Sequence, residues 1–85
     1  MNIQEFGEQL NALSQRAKDS MDHLERERNY ILETMQKVQG PFGSQPEGQK
    51  LVSTLYHVNN ALNTADSALN ALRSRIDNYI QQTRK

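Results

Sequence analysis

Nine successive core positions of a heptad repeat are apolar, without a break, in the second half of this chain: Leu51, Leu55, Val58, Leu62, Ala65, Leu69, Leu72, Ile76 and Tyr79. Their spacing alternates four and three. That is the signature of a helix burying one narrow seam against another helix.

The first half carries the same repeat less cleanly. Ile3, Leu10, Ala17, Leu24, Ile31 and Val38 recur every seven residues. The companion position begins as Phe6 and Leu13 and then turns polar at Ser20, Glu27 and Thr34. Met21 and Met35, each one residue further on, shift the stripe sideways. A drifting seam of this kind suits packing in a bundle better than a long regular coiled coil.

Asn2 followed by Glu5 has the spacing of a capping box, so the first helix should begin near Ile3. It should end near Gln39, because Gly40 can take a left-handed C-terminal position and Pro41 cannot donate to the helical ladder. The segment 40–48 is the one stretch dense in Gly and Pro, and its Gly40, Pro41, Phe42, Gly43 and Pro46 mark the turn at 40–45. Ser44 and Glu47 repeat the capping-box spacing with Pro46 in the first turn, placing a second helix at about 45–83. A short loop returns the helices antiparallel. The expected fold is an all-α, two-helix hairpin occupying 1–85 as one domain, with its core and association interface on the nine positions above together with Leu10, Leu24 and Ile31.

Two helices alone leave each seam half exposed. Tyr30, Leu32, Val52, Tyr56, Ala61, Ala68 and Ile80 add apolar groups on second faces that also call for cover. The economical solution is a dimer of hairpins forming a four-helix bundle. The chain has no cysteine, so neither disulfides nor thiolate zinc can stabilise so short a domain. The expected partner is therefore a second copy or another helical hairpin or effector protein.

Ten basic residues balance ten acidic ones, so no net field recruits nucleic acid. Arg26, Arg28, Arg73 and Arg75 are interleaved with Glu25, Glu27, Glu33 and Asp77, which reads as a solvated surface rather than a phosphate track. The terminal Arg84 and Lys85 suit the negative end of a helix dipole. No apolar run approaches the length of a membrane span. The opening residues lack the basic and apolar regions of a cleavable signal peptide, so the expected location is the cytoplasm, or outside the cell by a signal-independent route. From Leu51 to Ala65 there is no charged residue, and Asn, Ser, Thr and His57 build a helix surface that can approach another without a charge-desolvation penalty.

Few constellations offer chemistry. Asp19, His23 and Glu27 lie four residues apart on one helix face, a spacing that could hold a divalent metal, but it is equally the spacing of intrahelical pairing. Gly43 and Gly48 followed by Lys50 superficially suggest a phosphate loop, yet the lysine comes one residue late and no strand precedes it. No catalytic, cofactor-binding or metal residue is expected, and the chain reads as a non-enzymatic interaction module.

Two long helices joined by a turn holding Phe42-Gly43 resemble, over the whole chain, the WXG family of small type VII secretion proteins. The Trp-x-Gly itself is absent, and Tyr79 is followed four residues later by Thr83 rather than an acid. The resemblance implies hairpins that pair as homo- or heterodimers and that are exported, or escort a larger protein, without a cleaved signal. The run from Asn60 to Gln82, with Ala65, Ser67, Ile76, Asp77, Ile80 and Gln82, is also similar in spacing to the C-terminal helix of type III secretion needle subunits, which would imply a polymerising structural protein. An unrelated cytoplasmic hairpin scaffold is the third reading.

Overall fold

The computed structural model describes residues 2–83 and is an antiparallel hairpin of two helices, α1 (Ile3–Phe42) and α2 (Pro46–Thr83). Arg84 and Lys85, expected to favour the α2 dipole, lie outside the described residues. Cross-helix contacts run in opposite order along the two elements: Phe6 stacks on Tyr79, Ser14 bonds Arg73, and Arg28 bonds Asn63. The rod measures 60 × 18 × 14 Å, with a radius of gyration of 18.9 Å. A compact domain of this length would have about 12 Å.

Asn2 caps α1 as its side chain suggests, its Oδ1 accepting from the Glu5 backbone N–H at 2.7 Å. No return bond from the Glu5 carboxylate is formed among the described residues, so the box is half made.

The far end differs from expectation. α1 continues past Gln39 through Gly40 and Pro41 to Phe42, and no glycine adopts a positive φ among the described residues. Proline's fixed φ is itself helical, and the strain it places on the residue before it arises largely from that residue's Cβ, which Gly40 lacks. The lost donor falls in the last turn, so it removes one ladder bond at the end of the helix rather than in its interior. Gly43 ends the helix in a right-handed conformation, with φ −65° and ψ −24°. Gly43, Ser44 and Gln45 then reverse the chain, and the Gln45 N–H donates to the Phe42 carbonyl at 3.1 Å.

Pro46 opens α2 at the position where its missing N–H costs nothing. The expected Ser44 cap is not formed among the described residues. Gln45 precedes the helix instead, its carbonyl accepting from Gln49 at 3.0 Å, while the Gln49 side chain donates to the Gly43 carbonyl at 3.3 Å. Gly48 is buried where α2 starts back along α1. A Cβ there would run into the Phe42 carbonyl, so the closeness of the turn depends on this glycine.

Glycine's two roles can be separated by mutation. Gly48→Ala should lower the thermal midpoint, because overpacking against fixed backbone costs about 1–3 kcal/mol and exceeds the helix-propensity gain. Gly7→Ala, where an added Cβ meets nothing within 4 Å, should raise stability by about 0.5–1 kcal/mol. Circular dichroism melts of the two variants would show opposite shifts; a rise for Gly48→Ala would contradict the close approach.

Candidate functional site

Every seventh residue of α2 beginning at Leu55 points at α1: Leu55, Leu62 and Leu69 are half-buried and Ile76 is buried. On α1 the facing line is Leu10, Ala17, Leu24, Ile31 and Val38, with Ala17 buried and the others half-buried. Ile3, expected to open this line, lies largely exposed at the end of the rod.

The second half of the expected α2 seam does not face α1. Leu51, Val58 and Tyr79 remain 47%, 42% and 42% exposed, Ala65 is exposed and Leu72 is half-buried. The residues one position on, Val52, Asn59, Asp66, Arg73 and Ile80, are all half-buried and lie in the seam instead. α1 shows the same displacement. Gly7, Met21, Arg28 and Met35 are half-buried and Ser14 is buried, while Phe6, Leu13, Ser20 and Glu27 are exposed.

Charge explains the rotation. Extending the Phe6–Tyr79 stack by heptads sets Glu27 level with Val58 and Thr34 level with Leu51. Turning those lines inward would bury the Glu27 carboxylate against valine without a cation, a loss of several kcal/mol. The observed rotation gives every buried charge a partner. Arg28 donates to Asn63 Oδ1 at 2.6 Å and lies 3.6 Å from Asp66, with both ionic side chains about three-quarters covered. The Arg73 Nε donates to Ser14 Oγ at 3.3 Å. These polar residues carry no sequence motif. For Arg28, Asp66 and Arg73 the one signal is position, four residues after Leu24, Leu62 and Leu69 and therefore on the same face.

The displaced lines assemble a face. The Phe6 and Tyr79 rings meet edge to face at 5.6 Å, which puts Leu13 and Leu72, one heptad inward, on the same side of the rod. From there Ala65, Val58 and Leu51 continue along α2 towards the turn, flanked by Ala61 and Ala68. On α1 the same side changes to Ser20, Glu27 and Thr34. The opposite side is polar: Gln4, Asn11, Asn63 and Asp77 lie along it, with Leu32 and Tyr56 as its main apolar groups.

The sites considered from the sequence are exposed local pairs. His23 Nε2 lies 3.9 Å from Glu27, whereas Asp19 accepts from Gln15 at 3.2 Å. Among the described residues no three histidine or acidic side chains are grouped closely enough to hold a metal. Lys50 pairs with Glu47 at 3.8 Å beside the turn. Among the described residues no helix is long and apolar enough to cross a membrane.

One interior polar group is left over. Asn59 Oδ1 is buried without a hydrogen-bond partner among the described residues. Asn59→Leu should therefore stabilise the hairpin by about 1–2 kcal/mol, by removing an unsatisfied acceptor and adding apolar contact. A chemical-denaturation midpoint that falls in this variant would contradict the assignment of Asn59 to the seam.

The chain matches no known protein family, and no curated protein or solved structure is significantly similar to it.

Proposed function

We propose that this chain is a non-enzymatic interaction module that works by covering its Leu51, Val58, Ala65, Leu72 and Tyr79 line with another helical surface. The observation that carries this reading is the exposure of most of that line: Leu51, Val58, Ala65 and Tyr79 are exposed and Leu72 half-buried, at helix-pairing spacing along α2 and beside rather than within its seam with α1. The absence of charge between Leu51 and Ala65 adds to it, since a helix docking there displaces water from amides and hydroxyls but not from ions.

The hairpin architecture and the Phe42-Gly43 turn give the module a setting like that of the WXG proteins, as a small exported or escorting partner of a type VII-like secretion system. In that role the face would dock a second hairpin or the helical part of a larger exported protein. The face is long and narrow, which suits a helical partner better than a loop or strand.

Paired charge substitutions on the face test the module directly. Val58→Glu with Leu72→Glu should lower the thermal midpoint and abolish recovery of the helical partner in pull-downs from the source organism, whereas Thr64→Glu, on the outer side of α2, should leave both unchanged. The partner's appearance in the medium together with this chain, lost for the double variant, would support the secretion setting. Equal recovery by both baits would contradict the assignment of the face.

A further inference from the structure

Resting on that reading, we propose that the exposed face takes a second copy of this chain, with α2 lying antiparallel on α2 of the copy, the two turns at opposite ends and Ala65 on the two-fold axis.

The elongated shape leaves surface enough for an occupant of this size. The hairpin exposes 6495 Å². A compact monomer of 9.8 kDa would expose about 5,200 Å². The excess is about 1,300 Å², above the roughly 800 Å² per partner of a standard interface. A single docked peptide helix would cover the α2 line but leave Phe6 and Leu13 open. A second hairpin spans both helices.

The line is also symmetric about its centre. Val58 and Leu72 lie seven residues either side of Ala65, and Leu51 and Tyr79 lie fourteen either side. An antiparallel copy therefore sets Leu51 against Tyr79, Val58 against Leu72 and Ala65 against itself. Branched and aromatic side chains meet away from the axis, while the small group, flanked by Ala61 and Ala68, falls where the two backbones come closest. Interhelical distances of about 8–10 Å follow from such packing.

The other face-to-face arrangement, with both turns at the same end, would lay α2 over α1 of the copy. There Leu51, Val58 and Ala65 would meet Thr34, Glu27 and Ser20, and Arg16, His23 and Glu27 would lose water against an uncharged surface. In the proposed arrangement α1 meets α1 of the copy around Ser20, which is level with Ala65. Glu27 then comes opposite the Leu13 to Arg16 turn, so that acid and base face each other across the interface. The same axis serves both helix pairs.

The chain has no cysteine, so single introduced cysteines report the register without background. At the axis of such a pair the Cα atoms approach within disulfide reach, so oxidation of purified Ala65→Cys should give a covalent dimer about tenfold or more faster than Thr64→Cys, which lies on the outer side. Circular dichroism of the reduced proteins should match the parent, showing that the fold is kept. Efficient joining of Ala65→Cys only when mixed with Ser20→Cys would overturn the register and establish the arrangement with turns together. Equal slow rates for Ala65→Cys and Thr64→Cys, with a monomer in sedimentation, would overturn the second copy as occupant. The interaction module would still stand if Val58→Glu with Leu72→Glu abolished recovery of a different helical chain.

Discussion

Arg28, reaching from α1 to Asn63 and Asp66 on α2, decides how the two helices are rotated against each other. Both helices carry a shared apolar line that faces inward under either rotation. What distinguishes the two is the companion line. Only one choice pairs the charges that must be covered. With Arg28 and Asp66 inside, and Ser14 receiving Arg73, each ionic group that loses water gains a partner. With the other choice Glu27 would be left against Val58. Polar matching thus overrides apolar content, and the more hydrophobic of the two companion lines on α2 is left outside.

That rotation makes the hairpin a poor core and a good face. The buried side chains among the described residues are small or at one end, Ala17, Ser14 and Ile76, and no large side chain is completely covered. The seam is therefore thin, and its polar members contribute specificity of alignment more than hydrophobic stabilisation. Under the proposal of a second copy, the apolar centre of α2 would point between two neighbours, as it does for any helix in a four-helix bundle. The interior charges would then fix the hairpin and the exterior apolar line would fix the assembly.

The heptad spacing made the fold legible: two helices, a turn near Phe42 and Gly43, and the inward line of Leu55, Leu62, Leu69 and Ile76 are all readable from residue order. The rotation was not. A helix with apolar groups on two adjacent lines does not reveal which line meets its nearest neighbour, because that depends on what the neighbour presents. Glu27 and Arg28, adjacent in sequence, fall on different lines, and only the pairing of Arg28 with Asp66 across thirty-odd residues breaks the tie. The end of α1 was misread for a local reason, since Gly40 relieves the strain that Pro41 would impose on a residue with a Cβ. The nine positions read in the sequence as one core and interface seam therefore divide in the structure, Leu55, Leu62, Leu69 and Ile76 meeting α1 and Leu51, Val58, Ala65 and Tyr79 lying outside it.

The central claim is that this hairpin does not complete its own core and that its uncovered face is filled by association. Thermal unfolding followed by circular dichroism at several protein concentrations tests it most directly. If the face is filled by a second copy, folding is coupled to association and the midpoint of the 170-residue pair rises by about 3–5 °C for each tenfold increase in concentration. Superimposable, cooperative melts across that range would contradict the account, by showing that a single hairpin is stable with its Leu51 to Tyr79 line in water.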